Sequence, residues 1–253
     1  MFREGWAIYL ATRKKNDQLF NHYFMRVLAG FTVAALSRTP ATPNQITLLN
    51  LGIFVVAAAL LLLLPGWSGA LIAIGVLELS YLFDCADGML ARHKKLASKA
   101  GHLFDFFTDE LKAILLVAAL GLRAARFGGL GLDLSPWSAE RFMLASIVGV
   151  IVVASAISLT NFVRRPELSG REQGVEAFYE SAETAAHASG ARRLALAAFT
   201  FLRFLNHYPS HIWIFALAGR LDAFFWMYIA LNGLYLARGW LGLLLRFGRP
   251  EPS

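Results

Sequence analysis

The chain has 253 residues, 57% of them hydrophobic and only 16% charged, with a mean hydropathy of +0.53 and a net charge of +7. That balance excludes an ordinary soluble domain, which needs far more polar surface. The basic excess reads as cytoplasmic loops facing anionic lipid, with no nucleic acid as partner, and a single cysteine, Cys85, excludes an intrachain disulfide or a cysteine-based zinc site.

The first apolar run begins too late, behind too polar a start, for a cleaved signal peptide. Before it, residues 16–40 place Leu19, Phe20, Tyr23, Phe24, Val27, Leu28 and Phe31 on one helical stripe. Asn16, Asp17, Asn21 and Arg26 fall on the other face, the pattern of an amphipathic helix lying in the membrane interface. Apolar runs of about spanning length follow at 44–65, 69–92, 101–122, 138–163, 197–219 and 222–246. The fifth is interrupted by Arg203, Asn206 and Pro209. The first has a start signal: Thr42 to cap, Pro43 at the tolerated first position, Gln45 to complete a capping box. The chain is therefore expected to be one all-α membrane domain, 1–253. Its parts are an interfacial helix at 16–40, a six-helix transmembrane bundle at 44–246 and a cytoplasmic connection at 164–195. Within that connection Glu172, Glu176, Glu180 and Glu183 recur at near-helical spacing and read as a solvated face.

Lysine and arginine set the orientation. Arg3, Arg13, Lys14, Lys15, Arg26 and Arg38 precede the first span, Arg92, Lys94, Lys95 and Lys99 follow the second, and Arg164, Arg165, Arg171, Arg192 and Arg193 follow the fourth. Only Arg123, Arg126, Arg220 and Arg141 fall on the other side. The bias puts both termini in the cytoplasm.

It also puts four aspartates near the cytoplasmic face. Asp84 and Asp87 share a helix face that Gly88 and Ala91 continue, and Gly101, Asp105, Asp109 and Lys112 make a second such face across a short basic loop. Two facing helices would bring the carboxylates to one depth, where they cannot all stay ionised without cations. An oxygen-only ligand set favours a hard ion such as Mg²⁺ or Mn²⁺. Paired acids could hold two such ions, an arrangement suited to displacement at phosphorus. Gly88 and Ala91 leave room for a ligand, and Arg92 with nearby lysines can receive phosphate oxygens. Spacing alone leaves a cation-coupled transporter open, because intramembrane acids also serve as cation sites and proton relays. It likewise leaves the small residues as mere helix packing.

The stretch reads Asp84-x2-Asp87-Gly88-x2-Ala91-Arg92-x8-Gly101-x3-Asp105-x3-Asp109. It resembles the full signature of the CDP-alcohol phosphotransferases, integral membrane enzymes also called CDP-alcohol phosphatidyltransferases. The resemblance implies transfer of a phosphatidyl or phospho-alcohol group from a CDP-linked donor to an acceptor hydroxyl, with release of CMP. It implies that Asp84, Asp87 and Asp105 are metal ligands and that Asp109 is the general base and touches a metal. Asp84, Gly88, Ala91, Arg92, Gly101 and Asn44 of the Thr-Pro-Asn start match donor-binding positions. Family members are usually homodimers, and here a role in phospholipid synthesis is expected.

The family divides by donor, either CDP-diacylglycerol with a water-soluble acceptor or a soluble CDP-alcohol with a lipid or polyol acceptor. The N-terminal run to Thr47 resembles that of inositol-phosphate-using members, favouring CDP-diacylglycerol and an inositol-type acceptor. Lys94, Lys95, Lys112, Arg164 and Arg165 are the candidates to read an acceptor phosphate, with Lys112 open to a charge-balancing role instead. Arg123 and Arg126 are set aside as lying on the far side. Asn161 is expected to hydrogen-bond between helices, and Glu78 has no assigned role beyond packing or support of the motif.

Overall fold

Thr42, Pro43 and Gln45 act as their spacing predicts. In the computed structural model, Thr42 Oγ1 accepts from the Gln45 backbone N–H, and the Gln45 side chain accepts from the Thr42 backbone N–H at 2.9 Å. The structure describes residues 2–13, 18, 20–128, 138–163, 165, 190, 201–202 and 204–247. All regular structure among them is helical. In chain order these are α1 (Phe2–Thr12), a π-helical turn (Asn21–Met25) running into α2 (Arg26–Leu36), α3 (Pro43–Leu63), α4 (Gly66–His93) and α5 (Lys99–Phe127). After them come α6 (Ala139–Val163), a 3₁₀ turn (Tyr208–Ser210), α7 (Ile212–Leu217) and α8 (Leu221–Phe247). The acidic run at 172–183 lies outside the described residues, as does Arg164.

Among the described residues four helices, α3, α4, α6 and α8, are long and apolar enough to cross a membrane. The chain is a multi-pass membrane protein. Helix α5 is equally long, at 29 residues, but carries Asp105, Asp109, Glu110, Lys112 and Arg123 within its apolar stretch. The run expected at 197–219 is, in its described part, broken by the 3₁₀ turn at Pro209 and ended by Gly219 at φ 66°.

The expected interfacial helix is helical from Asn21 to Leu36, and its stripe divides between the outside and the core. Asn21 and Arg26 are buried, at 5% and 7% exposure, whereas Tyr23 is 72% and Phe24 52% exposed. Phe20 and Val27 of the stripe pack on the buried cluster that holds Met25, Ala29, Val33 and Ala34. Helix α1, which periodicity did not reveal, packs on α2 at a close crossing where a Cβ on Gly30 would lie 2.6 Å from the Gly5 carbonyl oxygen.

Helix α3 packs extensively on both α4 and α5, while α4 and α5 approach each other far less closely. The result is a cleft between α4 and α5, backed by α3. Helix α6 flanks α5, with α8 packed on α6. The main core runs through Phe54, Leu61, Leu77, Leu116, Leu120, Phe142 and Phe224, all at most 1% exposed.

Arg123 lies at the end of α3 away from the aspartates, with a role that charge counting does not assign. It is 2% exposed, and its Nη1 donates to the carbonyls of Leu61 (2.7 Å) and Leu64 (2.6 Å), its Nη2 to that of Gly66 (2.6 Å). It therefore caps the C-terminus of α3, where unpaired carbonyls and the negative end of the helix dipole favour a cation.

Candidate active site

The site is built in layers, one helix turn each, because α3, α4 and α5 bring polar residues to the cleft at intervals of three or four. Nearest the α4–α5 loop, a cavity of about 130 Å³ is lined by Asn44, Thr47, Gly88, Ala91, Arg92, Gly101 and Asp105, among others. Gly101 sits so close to α3 that a Cβ would come within 3.0 Å of Asn44 Oδ1. Ser98 starts α5 beside it, its Oγ accepting from the Gly101 N–H at 3.0 Å. A Cβ on Gly88 would instead point into open space, meeting only Arg92 Nη1 at 3.6 Å.

The carboxylates come next. Asp84, Asp105 and Asp109 each offer an oxygen, all within 4.8 Å of one another, a spacing that could hold a metal ion. The oxygen-only donor set suits a hard divalent cation. Asp87 is 3% exposed and its Oδ2 accepts from Thr47 Oγ1 at 2.6 Å. Asp84 Oδ1 accepts from Asn50 Nδ2 at 2.8 Å, and Asn50 is itself fixed by Ser80 Oγ, which donates to its side-chain oxygen at 2.5 Å. Thr47, Asn50 and Ser80 were not anticipated. The signal was present: Asn44, Thr47 and Asn50 make a polar stripe at helical spacing inside an apolar run.

Beneath the carboxylates lies Lys112. Its Nζ is 2.5 Å from Asp84 Oδ1 and 2.7 Å from Asp109 Oδ1, and its side chain is only 2% exposed. The charge-balancing role is the one the geometry displays. Asp84 is 18% exposed and Asp109 50%, so the cluster opens at Asp109. Phe54, the next turn of α3, and Tyr208 meet edge to face, with ring centroids 6.2 Å apart.

The remaining candidates fall elsewhere. Lys94 Nζ donates to the carbonyls of Thr39 (2.7 Å) and Ala41 (2.9 Å), tying the α2–α3 turn to the end of α4. Lys95 occupies the turn with φ 57°, and Arg165 is exposed just beyond α6. Asn161 Nδ2 donates to Glu110 Oε1 at 2.7 Å, joining α6 to α5. Both carboxyl oxygens of Glu78 are buried without a hydrogen-bond partner among the described residues.

The cleft between the long apolar helices thus brings together carboxylate oxygens that could hold a metal ion. The family model for CDP-alcohol phosphatidyltransferase matches residues 40–241, well over half of the chain, and the chain belongs to that family. It is accordingly a transferase of substituted phosphate groups, taking a CDP-linked donor and an alcohol acceptor. No individual curated protein matches the chain.

Proposed function

We propose that the protein transfers a phosphatidyl group from CDP-diacylglycerol to a hydroxyl of a polar, inositol-type acceptor, releasing CMP, as a step of phospholipid synthesis at the cytoplasmic leaflet. The observation that carries this reading is the convergence of Asp84, Asp105 and Asp109 beside a cavity floored by Gly88, Ala91 and Gly101. That cavity equals about four waters at roughly 30 Å³ each. It admits a small planar group, and the rest of a CDP donor extends past it along the cleft. Six crossings, with α5 and the run 197–219 added to the four apolar helices, both termini cytoplasmic, and a homodimeric assembly complete the proposal.

Asp84, Asp87 and Asp105 would hold the divalent ions, with Asp109 at their edge. When bound, two such ions, Mg²⁺ or Mn²⁺, supply charge neutralisation at the pyrophosphate and at the departing CMP. Asp109, the half-exposed member, takes the proton from the acceptor hydroxyl. The acceptor oxygen then attacks the phosphorus that carries the lipid, in line with the bond to CMP. As the new P–O bond forms, the old one breaks and its electron pair leaves with CMP. Asn50 and Lys112 keep Asp84 oriented, and Thr47 does the same for Asp87. Arg92, Asn44 and Gly101 bind and orient the donor.

The test is metal-dependent CMP release by the purified, lipid-supplemented protein. CDP-diacylglycerol and a set of soluble CDP-alcohols are each offered with a panel of acceptors, and Asp109→Asn serves as the variant that binds donor but releases no CMP. Release from CDP-diacylglycerol with an inositol-type acceptor, abolished by chelation, is expected. Release from soluble CDP-alcohols alone would reverse the donor assignment. Undiminished release by Asp109→Asn would remove that residue from the base role.

A further inference from the structure

We propose that helix α1 is a positioning element for the donor site and acts through Arg92. The inference rests on the reading of Arg92 as a donor-phosphate contact. Arg92 lies in the last turn of α4, and its Nε donates to the carbonyl of Thr12 at 3.1 Å. Thr12 is the final residue of α1. Its carbonyl is among the last four of the helix, which have no donor within the helix, and it sits at the negative end of the dipole, where a guanidinium is favoured.

The bond ties the Nε edge of the fork to α1. Nη1 lies over Gly88, 3.6 Å from where a Cβ on that residue would be, and Arg92 lines the cavity together with Gly88, Ala91 and Gly101. Only a planar, branched cation can hold a helix end with one edge and offer the other to a phosphate. An arginine already ordered has less rotamer freedom to lose when the donor arrives.

Helix α1 is built to hold that position. Gly5 and Gly30 let it lie directly against α2, where side chains would collide. Tyr9 Oη donates to the His22 carbonyl at 2.9 Å, Glu4 pairs with Arg38 at 2.6 Å, and Ile8 and Tyr9 are each 4% exposed. The helix lies outside residues 40–241, so it is added to the donor site from beyond the stretch that the family model covers.

The test measures CDP binding with Mg²⁺ by titration calorimetry on the solubilised full chain. The variants are Gly30→Ala, whose Cβ would press within 2.6 Å of the Gly5 carbonyl, and deletion of residues 2–12, each alone and combined with Arg92→Gln. Thermal unfolding is followed in parallel, and the single-residue Gly30→Ala change, which keeps α1 in the chain, keeps the question answerable if the deletion does not fold. Loosening α1 is expected to weaken CDP binding about tenfold, the scale of one charge-assisted hydrogen bond, and to raise the donor KM without moving the acceptor KM. In the Arg92→Gln background neither change should weaken binding further. Unchanged CDP affinity in both loosened variants, or losses that add to that of Arg92→Gln, would overturn the role of α1. Absence of CDP binding by the unaltered protein would instead remove the donor reading itself, and this inference with it.

Discussion

Lys112 occupies the place in the cleft where positive charge is most needed. It is buried, donates to Asp84 and Asp109 together, and so stabilises two close carboxylates. Taking one partner out of such a buried arrangement costs about 3–5 kcal/mol. Lys112→Met should therefore unfold at a clearly lower temperature in metal-free buffer. If a divalent ion shares those carboxylates, Mg²⁺ stabilises by mass action, and it should raise the Tm of Lys112→Met by more than that of the unaltered protein. Equal metal-induced shifts in the two would show that lysine and ion do not share the site. At this scale the aspartates were legible because their spacing of three and four is local. Thr47 and Asn50 were not, since their bonds to Asp87 and Asp84 join residues 40 and 34 apart. Only the fold brings such residues together.

Helices in this protein are fitted to one another by what their glycines omit. A Cβ on Gly121 of α5 would overlap the Ser146 side chain of α6, whereas one on Gly88 of α4 would meet open space. The same residue type thus serves packing in one helix and leaves room in the other. Gly121→Val should push α5 from α6, lowering stability by about 1–3 kcal/mol and displacing Asp105 and Asp109 with the helix, so thermal stability and CMP release fall together. Gly88→Ala should leave stability unharmed, since alanine is the better helix former by about 1 kcal/mol, while weakening donor binding. If Gly121→Val unfolds no earlier, the α5–α6 contact is not what fixes α5. Element starts such as the Thr42–Gln45 box could be read in sequence because caps are local chemistry. The role of Arg123 could not, because charge counting assigns an arginine to a side of the membrane and says nothing of three carbonyls near the end of α3 that need a donor.

For the molecule as a whole, the exposed apolar surface and the bias of basic residues describe one setting. Exposed Tyr23 and Phe24 on α2's entry, Leu144, Ile147 and Ile151 on α6, and Leu241, Leu244 and Leu245 on α8 present apolar surface outward, while polar groups turn in toward the cleft. The stripe at 16–40 was legible as amphipathic, but that Tyr23 and Phe24 would be exposed while Phe20 and Val27 pack on Met25, Ala29, Val33 and Ala34 depends on neighbours distant in sequence. Orientation is predicted from the count of basic residues. On the side away from the α4–α5 loop stand Arg123, Arg126, Arg141 and Arg220, against a larger number of lysines and arginines around the loop. The loop, and with it the cavity beside it, should face the cytoplasm. Cys85 is the sole cysteine and is buried, so replacing it by alanine gives a clean background for single cysteines at Lys95 and Ser138. In sealed vesicles of known sidedness, an impermeant maleimide should label Lys95→Cys from the cytoplasmic side and Ser138→Cys from the opposite one. The reverse pattern would turn the molecule over and require its donor and acceptor to meet on the other leaflet. Labelling of both from one side would remove α5 as a spanning helix, since Lys95 precedes it in the chain and Ser138 follows it.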